Sequence, residues 1–204
     1  MPLYYLDIET TGLEPLINQI ITIQYARIDE KSLEPMTDLT ILKIWDIGDE
    51  KELLKTFLDA SQFFNENFTF IPIGNNIMFD IIFLYSRSVY YGLINTPLWK
   101  ILHEKPFIDL KPIAVMMNKM EFKGYDEIIS KYGKMKHKGH EIPRLYVDKK
   151  YDEIIKYIKD EYGCTLKFMK DVLNKMIKVE QVEIKEEKKE EIEKRKQEKK
   201  KKKK

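Results

Sequence analysis

What most constrains this chain is a pair of carboxylates in a strand that has no polar face, Leu3-Tyr4-Tyr5-Leu6-Asp7-Ile8-Glu9. Successive side chains of a strand point to opposite faces, so Asp7 and Glu9 project from the same one. With Leu3, Tyr4, Tyr5, Leu6 and Ile8 around them, neither face is left for water, and the segment reads as a central strand covered on both sides. Such a strand requires helices on both faces of a sheet, which is an α/β architecture. Burying an unpaired carboxylate costs several kcal/mol, so Asp7 and Glu9 call for cations or strong donors. Two solvated carboxylates at an exposed strand end would share the spacing but not the apolar surroundings.

The rest of the chain supplies the other layers. Residues 20–28 and 38–45 are rich in β-branched and aromatic side chains and read as strands, with shorter ones at 68–73 and 107–110. Apolar residues at helical spacing mark helices near 52–64, 76–91, 112–118, 126–132 and 149–173. Three early strands followed by alternating helix and strand predict a mixed five-stranded sheet flanked by helices. In the second of these helices Asp80 is the only charge between Ile77 and Tyr85. It lies just after the Gly74-Asn75-Asn76 turn, where the end of one strand can sit beside the end of the first. An N-capping Asn and the helix dipole could stabilise Asp80 without a cation, so its chemistry alone leaves a structural role open.

Composition narrows the chemistry. Cys164 is the single cysteine and His103, His137 and His140 the only histidines, so a catalytic metal must sit on oxygen ligands. No apolar run approaches the eighteen or so residues of a membrane span, and a carboxylate interrupts the N-terminus before a signal segment could form, so the expected location is cytoplasmic. Residues 183–204 hold twelve Lys/Arg against seven Glu and end in six lysines, leaving the remainder net acidic. The expected division is a domain over 1–181 and a helical-to-disordered tail over 182–204, which lacks the apolar residues to build a core.

Asp7-Ile8-Glu9-Thr10-Thr11-Gly12-Leu13 resembles the first motif of the DEDD family of 3′-to-5′ exonucleases, and Gly74-Asn75-Asn76-Ile77-Met78-Phe79-Asp80 resembles the second. The likeness spans roughly residues 2–175 and is closest to stand-alone relatives of family B polymerase proofreading domains. It implies an RNase H-like fold and hydrolysis of single-stranded DNA from its 3′ end to nucleoside 5′-monophosphates, with two Mg²⁺ or Mn²⁺ ions held by Asp7, Glu9, Asp80 and one aspartate of the last helix. Helix chemistry does not separate Asp152, Glu153, Asp160 and Asp171, each compatible with an ordinary solvated position. The resemblance selects Asp160.

Beside Asp160 the pattern departs. The family places a tyrosine four residues before this aspartate or a histidine five before it; here those positions hold Lys156 and Ile155, with Tyr157 one residue late. Lys156 and Tyr157 are therefore the residues considered for handling the attacking water. The resemblance further implies that Thr10 and Thr11 hold the chain end and that Leu13 wedges against the terminal base, with Asn76 and Phe79 lining the same substrate site. Lys131, Lys134, Lys136, His137, Lys138 and His140 form a basic loop, of which Lys136 and Lys138 are the expected phosphate contacts. RNA stays open as a substrate, because no residue is committed to sensing a 2′-hydroxyl. A catalytically impaired nucleic-acid-binding module and a hybrid-cleaving endonuclease are the competing readings.

Overall fold

The computed structural model describes residues 2–65, 68–121, 124–172 and 174–175. The boundary expected at 181 and the tail over 182–204 lie outside the described residues. Five strands form one mixed sheet in the order β3-β2-β1-β4-β5, namely β1 (Leu3–Thr10), β2 (Ile20–Ile28), β3 (Thr40–Lys43), β4 (Ile71–Gly74) and β5 (Ile108–Asp109). β1 pairs antiparallel with β2 and parallel with β4, so it is the central strand that its apolar sequence demands.

Alternation along β1 divides the interior. Leu6 and Ile8 join a core with α2 (Glu50–Ser61) and α3 (Ile77–Tyr90), whereas Leu3 and Tyr5 face a second core with α5 (Leu110–Met117), α6 (Tyr125–Ile129) and the later turns of the last helix, α8, over residues 151–172. The first core is aromatic, with Phe57, Phe63 and Phe70 meeting at 5.5–5.9 Å and Tyr4 stacked on Phe70 at 4.2 Å. Edge-to-face contacts at such spacing contribute about 0.5–1.5 kcal/mol each beyond buried area.

Several elements differ from expectation. The third strand stops at Lys43 and turns into the short helix α1 (Ile44–Ile47), which puts Trp45 against Tyr151 of α8 at 4.4 Å. The fourth strand begins at Ile71, not Phe68, and keeps Gly74. Two short helices, α4 (Leu98–Glu104) and α7 (Ile142–Val147), have too few apolar repeats to stand out as periodic. Because of α7, the basic loop connects α6 to a 3₁₀ turn (Gly139–Glu141) and α7 rather than directly to the last helix.

Candidate active site

The parallel strands β1, β4 and β5 end on one side of the sheet, and the acidic residues collect there. Asp7 and Glu9 project together from β1, and cross-strand register sets Gln24 opposite Asp7 and Thr22 opposite Glu9. Both β2 side chains are fully buried. The Thr22 hydroxyl donates to Gln24 Oε1 at 3.0 Å, which fixes the amide so that Nε2 donates to Asp7 Oδ2 at 2.5 Å. Neither Thr22 nor Gln24 is marked by the first two motifs; the available signal was two polar residues inside an otherwise apolar run.

Asp80 arrives from the other side of β1. Pairing between β1 and β4 ends at Tyr5 and Ile73, and three residues further along β1 the Ile8 N–H donates to Asp80 Oδ1 at 3.0 Å. The turn that allows this needs Gly74, because a Cβ there would lie 2.5 Å from the Leu6 carbonyl oxygen. Asn76 takes a left-handed conformation at φ 53° and its side chain does not cap the helix. That corrects the capping alternative: the Asn76 N–H donates to Asp109 Oδ1 at 2.8 Å, and its side-chain oxygen accepts from Lys111 Nζ at 3.1 Å. Phe79 packs on Phe83, with ring centroids 5.4 Å apart.

The last helix contributes Glu161, not Asp160. Oxygens of Asp7, Glu9 and Glu161 lie within 4.8 Å of one another, the one such grouping of potential metal ligands among the described residues. The reason is helical phase. Ile154, Tyr157, Ile158, Glu161, Cys164, Thr165, Phe168, Met169 and Val172 form the buried stripe of α8, and Glu161 falls in it while Asp160 lies at its half-exposed margin. In that register Tyr157 stands four residues before the clustered carboxylate, and its hydroxyl reaches Glu161. Lys156 is exposed on the opposite face, which removes it from the site.

Like charges at about 4 Å repel by about 4 kcal/mol per pair at an effective dielectric near 20. The carboxyls respond accordingly. Burial, opposed in part by the Gln24 hydrogen bond, pushes Asp7 up to about 7. Burial and then the charge of Asp7 push Glu9, Asp80 and Glu161 well above the usual carboxylate range. Burial also raises the Tyr157 phenol, with the Glu161, Glu9 and Asp126 charges acting in the same direction. Asp126, on α6, was not singled out from sequence, where it only marks the start of a short helix.

The remaining residues expected to hold substrate lie on or beside the β1–β2 loop and in the basic loop. Leu13, Leu16 and Ile17 are 78–81% exposed on the β1–β2 loop, a concentration of aliphatic surface directly after Glu9. The loop is braced by Thr11 N–H to the Gln19 carbonyl at 2.9 Å, Gln19 N–H to Thr11 Oγ1 at 3.1 Å and Glu14 N–H to Asn18 Oδ1 at 3.0 Å. The Thr10 hydroxyl donates to the Gly12 carbonyl at 2.6 Å. In the basic loop Lys138 is exposed, whereas Lys136 donates to Glu153 at 2.9 Å and His137 bridges Glu141 and Glu153 at 2.8 and 2.7 Å.

Donor chemistry decides what the carboxylate group can hold. Three carboxylate ligands, Glu9 and Glu161 buried and Asp7 partly so, suit a hard divalent cation such as Mg²⁺ or Mn²⁺. Among the described residues no helix is long and apolar enough to cross a membrane.

A family model described as RNase_H superfamily matches residues 4–161. No curated protein sequence matches the chain. Among solved structures, E. coli exonuclease I with a 5cy-dA13 oligonucleotide aligns at 15% identity and a TM-score of 0.41, covering 61% of this chain and 32% of that one. Apo exonuclease I gives 15% identity, a TM-score of 0.42 and coverage of 61% and 33%. A moderately thermophilic exonuclease I from Methylocaldum szegediense gives 16%, 0.37, 56% and 29%. The aligned part thus spans about a third of those chains, and at such identity the fold assignment rests on the family match and the sheet topology.

Proposed function

This chain belongs to the RNase H superfamily, and from that premise we propose that it is a 3′-to-5′ exonuclease of the DEDD type, hydrolysing single-stranded DNA to nucleoside 5′-monophosphates. The observation that carries the reading is the convergence of oxygens from Asp7, Glu9 and Glu161 within 4.8 Å of one another. Asp80 supplies the fourth carboxylate, held by the Ile8 N–H on the far side of Asp7. Tyr157 stands where the DEDD pattern expects its tyrosine once Glu161 replaces aspartate in the third motif.

Asp7, Glu9 and Glu161 would hold the divalent ions, with Asp80 beside them. Ions held there would supply Lewis-acid chemistry, activating a water and offsetting charge on the leaving 3′ oxygen. The protein's own part is to orient and exclude. Gln24, locked by Thr22, keeps Asp7 in one rotamer. The Tyr157 hydroxyl, held neutral by burial, can accept from or donate to the attacking water but cannot remain as phenolate near pH 7. The braced β1–β2 loop offers Leu13 to the terminal base and the backbone at Thr10 and Thr11 to the chain end. An unpaired end suits this arrangement because stacking and phosphate contacts suffice to bind it.

The test is digestion of 5′-labelled single-stranded DNA and RNA oligonucleotides, and of a circular DNA, with Mg²⁺, Mn²⁺ or EDTA, comparing wild type with Asp7→Ala. The expected outcome is a metal-dependent ladder shortening from the 3′ end, absent in the variant and on the circle. Cleavage of the circle would identify an endonuclease, and binding without cleavage an inactive module. Relative rates on the two linear substrates rank DNA against RNA.

A further inference from the structure

Asp126 touches this site from outside the four carboxylates that the proposed reaction uses. It stands in the first turn of α6, and its two oxygens serve different elements. Oδ1 faces the Tyr157 hydroxyl at 3.4 Å, and Oδ2 accepts the Gly139 N–H at 3.2 Å. A Cβ on Gly139 would lie 3.2 Å from the same hydroxyl oxygen, so the end of the basic segment is laid directly on the phenol. The charge of Asp126 is felt at Asp7, Glu9 and Glu161, yet Asp126 is not in the group whose oxygens converge.

We propose that Asp126 is a positioning residue whose one carboxylate aims the Tyr157 hydroxyl at the clustered carboxylates and pins the lysine-bearing segment 131–140 at the mouth of the site. A phenol has a single proton to donate. Tyr157 stands between Glu161 on its own helix and Asp126 on α6. Donation to Asp126 leaves the phenolic oxygen free to accept from a water at the clustered carboxylates; donation to Glu161 ties up a metal-ligating oxygen instead. The 3.4 Å separation is at the long end for a hydrogen bond. The aiming half of the proposal rests on the exonuclease reading, and the pinning half does not.

The experiment uses the full chain and the variants Asp126→Ala, Tyr157→Phe and the double variant. It measures kcat on 5′-labelled single-stranded DNA, Mn²⁺ affinity by titration, and the rate of tryptic cleavage after Lys134, Lys136 and Lys138. Asp126→Ala is expected to lower kcat by about 10²-fold, to leave Mn²⁺ affinity unchanged since it removes none of the grouped oxygens, and to speed tryptic cleavage of the segment. In the Tyr157→Phe background Asp126→Ala is expected to cost no further kcat, the mark of acting through the phenol. Losses that multiply, Mn²⁺ binding that falls with Asp126, or unchanged proteolysis would each overturn the proposal. If the alanine variant does not fold, Asp126→Asn, which keeps one acceptor, runs the same cycle. Wild type that cleaves nothing overturns the exonuclease reading and the aiming half with it, while the proteolysis arm still decides the pinning.

Discussion

Glu50 and Glu161 are buried to a similar degree, 2% and 8% exposed, yet their charges are handled in opposite ways. Glu50 meets Arg87 at 2.5 Å, accepts the Ile20 N–H at 2.7 Å and receives the Tyr91 hydroxyl at 3.0 Å. Every strong demand of that carboxylate is met by the chain itself, and the group ties α2, α3 and the start of β2 together. Arg87 also donates to the Pro15 carbonyl at 3.3 Å, so the same pair braces the loop that carries Leu13. Glu161 is surrounded instead by the charges of Asp7 and Asp126, with the phenol of Tyr157 beside it. One buried carboxylate is thus compensated by the chain itself, while the other lies among like charges, an arrangement that suits a cation, as the proposed function requires.

This contrast can be broken by substitution, and the largest effect belongs to activity. Glu161→Ala and Asp7→Ala are each expected to lower kcat by about 10²–10³-fold or more in Mg²⁺, measured on the 5′-labelled oligonucleotide, and to weaken Mn²⁺ binding in titration. Next comes the structural pair: Arg87→Ala strands Glu50 and should cost about 3–5 kcal/mol of unfolding free energy in urea titration. If the loss were no larger than that of a surface charge, the two regions would not differ as described. The sign should reverse in the cluster, where Glu161→Gln removes repulsion and is expected to raise Tm by a few degrees in EDTA while lowering activity.

The pH dependence sharpens the same point. Asp7 titrates at about 7 in the folded chain, against about 3.9 when unfolded. The folded state therefore keeps a proton that the unfolded state has lost, and stability from this group falls as pH rises from about 4 to about 7. Glu9, Asp80 and Glu161, raised as well, act in the same direction. In EDTA, wild type should lose Tm relative to Asp7→Asn as pH is raised across that window, and Mn²⁺ should abolish the difference. A parallel pair of curves in EDTA would mean that Asp7 does not carry the strain. The smallest effects are expected at Asp160→Ala and Lys156→Ala, each within about twofold of wild-type activity; a large loss at Asp160 would return that residue to the site in place of Glu161.

Much of the site was legible because it is local. Asp7 and Glu9 are two apart on a strand, and Asp80 follows a glycine turn at the start of a helix, so each could be recognised within a short window. The structure departs from expectation at Asp160 and Lys156, which lie outside the grouped oxygens because the family's spacing was set ahead of the helix's own periodicity. The apolar phase through Ile154, Tyr157, Ile158, Phe168 and Val172 passes through Glu161, and following it would have put Tyr157 in place as well. Gln24, Thr22 and Asp126 carried no comparable signal. Gln24 meets Asp7 17 residues away, Thr22 acts through Gln24, and Asp126 meets Tyr157 31 residues away, so only strand register and the packing of α6 against α8 bring them together.

By itself the sequence determined the layered sheet, the central position of β1 and the presence of buried carboxylates in need of compensation, because alternation, burial and charge are properties of short segments. Tertiary structure decided which carboxylates converge and which are neutralised. Oxygens that meet within 4.8 Å come from β1 and α8, more than 150 residues apart, and at that distance a rotation of one residue along a helix, about 100°, moves a side chain from the site to its margin.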